Sequence, residues 1–141
     1  METTTAVEYA GFWRRFVAVS IDSILIVIVV YIMTFVFGFM IGPLGGWEAV
    51  VENIVDFVYS WIYWAAMESS SKQATLGKMA LGIVVTDLEG RRISFGRATA
   101  RYFGKTVSIL ILFIGFIMAG FTKKKQALHD LMAGCLVVRR K

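Results

Sequence analysis

The chain has 141 residues, of which 57% are hydrophobic and 18% are charged. Soluble domains are about 45–50% apolar and about 25% charged, so this composition indicates one integral membrane domain, residues 1–141, with room for about two to four crossings. One cysteine and one histidine exclude an internal disulfide, a four-cysteine zinc site and a histidine cluster. We therefore expect no metal, no cofactor and no enzymatic activity.

The fifteen lysine and arginine residues give the chain a net charge of +5 and fall into three blocks. None lies between residues 16 and 71, where the charged side chains are all acidic. Basic residues beside apolar runs are typical of cytoplasmic loops, so the pattern predicts a multi-pass plasma-membrane protein with both termini in the cytoplasm. It also predicts contacts with the lipid bilayer and its anionic headgroups, and it disfavours nucleic acid as a partner.

Two apolar segments are long enough to cross a bilayer. The first covers residues 16–37 and carries a single acid, Asp22, about 9 Å into the helix. The second covers residues 49–67. Along its start runs an acidic stripe with a spacing of four residues, formed by Glu48, Glu52 and Asp56. We predict a transmembrane helix for each segment.

The next segment, residues 72–105, is less apolar and changes character along its length. Two short runs with β-branched residues, 82–87 and 92–95, flank a turn at Gly90 and predict a β-hairpin. Three basic residues then recur every fourth position, namely Arg97, Arg101 and Lys105. This spacing predicts an amphipathic helix at the level of the headgroups, where these residues bind anionic lipid or pair with buried acids.

A third apolar segment, residues 106–121, reaches only about 24 Å as a helix, against a hydrocarbon core of roughly 30 Å. Three complete crossings would also leave the six C-terminal basic residues outside. We therefore predict that this segment re-enters the membrane or kinks and returns. Residues 78–85 and 130–138 share a pattern of short helix, glycine and β-branched strand, which predicts that their two strands lie in one sheet.

Three motifs occur in a fixed order along the chain. Arg15 and Asp22 open the first span, QATLGK (residues 73–78) follows the second, and KQALHD (residues 125–130) precedes the last strand. Together they resemble the RDD family of small prokaryotic membrane proteins, named for one arginine and two aspartates. The resemblance assigns these to Arg15, Asp22 and Asp130, and it implies a prokaryotic cell membrane and a transport activity, including cation/proton exchange.

Asp22 is the first functional candidate, because an ionisable group within a membrane span is rare and costly. Helical side chains lean toward the N-terminus, so Arg15 is expected to point away from Asp22 and toward the surface. We expect Asp22 to meet a cation or donor from another segment, with Lys78 and Arg101 as candidates. Two interpretations stay open, a structural ion pair and a path for H⁺ or a monovalent cation.

The secondary candidates lie in the second span and near the C-terminus. Glu52 and Asp56 could attract cations to the outer face, or they could lie at the interface and bond to tyrosine or serine neighbours. His129 titrates near neutrality and could relay protons. Asp130 lies beside several lysines and is expected to be their structural partner.

The sequence therefore predicts an all-α integral membrane protein with two transmembrane helices, a short third membrane segment, amphipathic helices and a small cytoplasmic β-element. The leading functional hypothesis is a transport module for H⁺ or a monovalent cation, with Asp22 central. Because few helices are available to enclose a path, we expect a homo-oligomer. The alternative is a non-transporting accessory protein that binds lipid or a protein partner through its basic face.

Overall fold

The longest element is α1 (Phe12–Ile41), a helix of 30 residues. The structure is a computed structural model that describes residues 7–43, 45–110 and 117–140. Most apolar side chains of α1 are exposed, and its buried residues are Ala18 and Asp22. Of the helices described, α1 alone has both the length and the apolarity of a membrane span.

The second helix, α2 (Glu48–Ser69), has 22 residues and covers the second predicted span. It is long enough to cross a membrane, but its polar stripe leaves it less apolar than α1. Gly42 ends α1 with a φ of 73°, a conformation that favours glycine, and begins the turn between the two helices.

A short helix, a strand and a longer helix follow, α3 (Leu76–Ala80), β1 (Ile83–Asp87) and α4 (Phe95–Leu110). The amphipathic helix predicted from the basic spacing is confirmed as α4. Arg97 is exposed on this helix, whereas Arg101 is buried.

The predicted hairpin is wrong, because residues 92–95 form no strand beside β1. The Asp87 carboxylate accepts the N–H groups of Glu89 and Arg91 and closes the turn locally. The Ser94 hydroxyl then accepts the N–H of Arg97 at 3.2 Å. This bond caps the first turn of α4, so the last residue assigned to the second strand, Phe95, begins the helix, and residues 92–94 are irregular.

The last elements are a 3₁₀ turn (Met118–Gly120), helix α5 (Leu128–Ala133) and strand β2 (Cys135–Arg139). β1 and β2 pair antiparallel with Val85 opposite Val137, which confirms the predicted shared sheet. A glycine of positive φ, Gly82 or Gly134, separates helix from strand in each unit.

The buried apolar core lies between this sheet and the adjoining ends of the helices. Its fully buried members include Ala65 of α2, Ile83 and Val85 of β1, and Val137 of β2. Residues 111–116, in the middle of the third apolar segment, lie outside the described residues. The turn of the predicted re-entrant course falls on them.

Candidate functional site

Two fully buried carboxylates form the centre of the site, Glu68 at the end of α2 and Asp130 in α5. Each oxygen of Glu68 accepts one hydrogen bond from a cation, Oε1 from Lys78 and Oε2 from Arg101. Lys105 Nζ lies 3.7 Å from Glu68 Oε1. Glu68 thereby joins the end of α2 to α3 and α4.

Asp130 binds two arginines from opposite ends of the chain. Its Oδ2 accepts from Arg15, and its Oδ1 accepts from Arg101 Nη2 at 2.6 Å and Nε at 3.2 Å. Oδ2 also accepts the N–H of Ala127 at 3.1 Å, which caps α5. Burial alone raises the pKa of Asp130, but Arg101 and Arg15 outweigh it and hold that pKa well below its usual value.

We name these six residues the charged cluster: Arg15, Glu68, Lys78, Arg101, Lys105 and Asp130. Each of the described helices, α1 to α5, contributes at least one member. Arg101 bonds to both carboxylates and is therefore the bridge of the charged cluster. Buried ion pairs are stable only when their hydrogen bonds are nearly all made. The helices must therefore pack in positions that allow these bonds.

Arg15 confirms one expectation and corrects another. The prediction that Arg15 does not bond to Asp22 is confirmed. The expectation that it reaches the surface is wrong, because its side chain is 11% exposed and bonds to Asp130. It also donates to two backbone carbonyls, those of Ala10 and Lys125.

Asp22 forms a separate site in which all bonding partners are neutral. Its Oδ1 accepts the Tyr63 hydroxyl and the Gly77 N–H, both at 2.8 Å, and its Oδ2 accepts the Thr75 hydroxyl at 2.5 Å. The expected cationic partners, Lys78 and Arg101, bind the acids of the charged cluster instead. The physical reason is that the first turn of α3 abuts α1, so its donors reach Asp22 first.

Gly77 permits this close approach. A Cβ atom there would lie 2.1 Å from the Ala18 carbonyl oxygen and 2.9 Å from the Asp22 carboxylate. The glycine of the QATLGK motif therefore has a steric explanation.

The remaining candidates are Glu52, Asp56 and His129. The first two are not part of the charged cluster, and the surroundings of the third disfavour the predicted proton relay. Glu52 is exposed on α2, and Asp56 is half-buried. Asp56 Oδ1 is buried without a hydrogen-bond partner among the described residues. His129 is buried beside the charged cluster, where burial lowers its pKa to about 3, with the neighbouring cations adding to this effect and Asp130 opposing it. Its imidazole is therefore neutral near pH 7, which disfavours a proton relay there.

Sequence reasoning missed the role of Glu68 and the donors to Asp22. Glu68 continues the four-residue spacing of Glu52 and Asp56 along α2, and that extension is the signal in the sequence. For Thr75 and Gly77, the signal is their place in the QATLGK motif. No spacing in the sequence identifies Tyr63 as the third donor.

A cavity of about 470 Å³ adjoins the charged cluster. Its apolar walls come from the start of α1, from the region after the undescribed segment, and from α5 and β2. They are formed by Phe12, Phe16, Val19, Ile117, Ala127 and Val137. Five basic or aromatic polar residues also line it, mainly through their carbon atoms, because its surface is almost entirely apolar: Arg15, Lys78, Arg101, Lys105 and His129.

A long apolar helix joined to a buried ion-pair cluster defines the class, a small membrane protein. The RDD family model matches residues 9–134, and the chain belongs to that family. Of the three residues that the resemblance assigns to the family motif, Arg15 and Asp130 form an ion pair, and Asp22 lies in the adjoining site.

Two relatives from Bacillus subtilis (strain 168) match nearly the whole chain. The uncharacterized protein YxaI is 34% identical over 92% of this chain and 96% of its own length. The uncharacterized membrane protein YteJ is 28% identical over 94% of this chain and 82% of its own length. No solved structure matches the chain.

Proposed function

We propose that the protein is multi-pass, with α1 and α2 crossing the membrane and the charged cluster on the cytoplasmic side. Helices of 30 and 22 residues are about 45 and 33 Å long, enough for a core of roughly 30 Å. The basic blocks lie at one end of these helices, in agreement with the positive-inside rule. The description of YteJ as a membrane protein supports the same placement.

Within this placement, the function supported best is that of a non-transporting accessory protein, and not an enzyme, that binds lipid headgroups or a protein partner. One observation carries this proposal. Glu68 and Asp130 bond to cations of the same chain, and both oxygens of Asp22 accept bonds from neutral donors. Acids that are already satisfied by the protein offer a passing cation few free ligands.

Flux measurements in proteoliposomes test the proposal. We expect Na⁺, K⁺ and H⁺ flux equal to that of protein-free liposomes, with and without a pH gradient. Liposomes treated with an ionophore confirm that the assay detects exchange. A pH-dependent flux that disappears in Asp22→Asn would overturn the accessory role and restore Asp22 to an ion path.

The second candidate function is transport of H⁺ or a monovalent cation by a homo-oligomer, and Lys105 favours it. Burial first, with Lys78 and Arg101 adding repulsion against the attraction of Glu68, lowers the pKa of Lys105 to about 7. A lysine with this pKa beside a cavity can gain and lose a proton near neutrality. A flux abolished by Lys105→Gln, in a protein that elutes as an oligomer, is the result this candidate requires.

A further inference from the structure

The cavity beside the charged cluster combines apolar walls with a cationic lining, and it lies at the first turns of α1. Phe16 is 54% exposed and Ile117 is 45% exposed, so the apolar side of the cavity is open. In the membrane placement proposed above, on which this inference rests, that opening faces lipid at the headgroup level. Its volume of about 470 Å³ lies within the range of small-molecule sites, about 300–1,000 Å³.

The charges around the cavity do not balance within the described chain. Four basic side chains of the charged cluster meet two carboxylates, so basic groups outnumber acidic ones, although Lys105, with a pKa of about 7, carries only part of a positive charge at neutral pH. Asp22 adds one negative charge behind Gly77, but its bonds go to neutral donors. A buried excess of positive charge is costly, so this site favours an additional anion.

Within the described chain, Lys105 is the member of the charged cluster whose side chain makes no hydrogen bond. Arg15 and Arg101 use their guanidinium groups on carboxylates and carbonyls, and Lys78 donates to Glu68. The Lys105 side chain is 14% exposed and its Nζ lies 3.6 Å from the centre of the Trp64 ring. Among the described residues, no acceptor lies within hydrogen-bond distance of this ammonium group, so the N–H donors that point away from the Trp64 ring and from Glu68 can serve a ligand.

We propose that the cavity binds one anionic amphiphile from the membrane, with its headgroup at Lys105 and its hydrocarbon chain along Phe12, Phe16 and Ile117. The shared chemistry is a single acyl chain in the cavity and a phosphate or carboxylate at its polar end. A membrane phospholipid and a free fatty acid both supply that chemistry. The experiment below separates these two sources.

The test uses the full-length protein purified in a neutral detergent. Native mass spectrometry and equilibrium titration measure the binding of phosphatidylglycerol and of oleate, with phosphatidylcholine and monoolein as uncharged counterparts. We expect at least tenfold tighter binding of an anionic amphiphile than of its counterpart, at one per chain. Binding of phosphatidylglycerol alone identifies a phospholipid as the source, and binding of oleate alone identifies a fatty acid.

Two variants locate the ligand, and one provides a matched control. Lys105→Gln should weaken binding at least tenfold, whereas Arg97→Gln, which makes the same charge change at an exposed residue of α4 that does not line the cavity, should leave it unchanged. Val19→Phe fills the apolar wall without altering charge, so it should weaken binding of whichever anionic amphiphile binds the wild type and leave the melting temperature within a few degrees.

Three results overturn the inference: equal affinity for charged and uncharged amphiphiles, equal losses in Lys105→Gln and Arg97→Gln, or full binding by Val19→Phe. Ion flux in proteoliposomes would instead contradict the accessory role and leave the binding result standing. The two failures are therefore distinguishable.

Discussion

Asp22 accepts three hydrogen bonds and contacts no cation among the described residues, and this pattern defines its role at the residue scale. Its carboxylate joins α1 to the end of α2 through Tyr63 and to the start of α3 through Thr75 and Gly77. A group held by three neutral donors acts as a connector between helices. The same acid on an ion path would need a ligand position left open.

Substitution of Asp22 separates these roles. In Asp22→Asn, the amide oxygen can still accept from Tyr63 and Gly77, and the Thr75 hydroxyl can rotate to accept from the amide N–H. We expect a loss of about 1 kcal/mol in the free energy of unfolding for Asn, and at least about 3 kcal/mol for Asp22→Ala, which leaves three donors unsatisfied. Melting temperatures in detergent measure both. Equal, severe losses in the two variants would show that the negative charge itself is required.

Gly77 supports a second prediction at this scale. Gly77→Ala places a methyl group 2.1 Å from the Ala18 carbonyl oxygen, so the contact between α1 and α3 must open. We expect the free energy of unfolding of Gly77→Ala to be lower by about 3 kcal/mol or more. Gly96→Ala is the control, since nothing lies within 4 Å of a Cβ there and its stability should be unchanged or slightly higher. Thermal unfolding that is equal for the two variants would contradict the close approach.

Part of this residue-level description could be predicted from the sequence. Arg15, Asp22 and Asp130 are identifiable from the motifs, and the absence of an Arg15–Asp22 pair follows from the lean of helical side chains. The actual partners are not predictable in this way. Which cation reaches Glu68 or Asp130 depends on how α2, α3, α4 and α5 converge, and spacing within one helix carries no information about that.

At the scale of elements, α4 joins the ends of the other helices. Arg97 and Arg101 lie one turn apart on the same side of this helix, and Arg97, in the first turn, is exposed whereas Arg101 is buried. The sequence predicts the helix but cannot tell which arginine is buried. It also predicts a strand over residues 92–95, because β-branched content alone does not show that Ser94 caps a helix.

Arg101 gives the prediction that belongs to this scale. Arg101→Leu removes the bridge between Glu68 and Asp130 and leaves two buried acids with fewer cations. We therefore expect the free energy of unfolding to fall by about 3–5 kcal/mol, measured by thermal unfolding in detergent. Arg101→Lys should be intermediate, because one ammonium group cannot bond to both carboxylates. Arg97→Leu, at an exposed residue one turn earlier on the same helix, should change the free energy of unfolding by less than about 0.5 kcal/mol. Comparable losses of stability in Arg101→Leu and Arg97→Leu would mean that the positive charge of α4 as a whole, and not the Arg101 bridge, stabilises the protein.

At the scale of the whole molecule, contacts between distant segments constrain the path of the chain. α4 precedes the undescribed residues 111–116 and α5 follows them, yet Arg101 bonds to Asp130, and a Cβ at Gly104 would meet His129 at 2.9 Å. β1 and β2, also on either side of that segment, pair with each other. The described residues before and after this segment therefore lie side by side.

This side-by-side arrangement supports the prediction that the third apolar segment does not complete a crossing and that the C-terminus lies in the cytoplasm. A cysteine added after Lys141 should therefore resist a membrane-impermeant maleimide in intact cells and react once the cells are permeabilised. Trp47→Cys, in the exposed turn between α1 and α2, is the matched control and should react in intact cells. Cys135 is buried, which raises its thiol pKa to about 11, and Cys135→Ser removes it as a background site. Reaction of the C-terminal cysteine in intact cells would mean that the segment crosses completely, and the pairing of β1 with β2 would then be impossible within one chain.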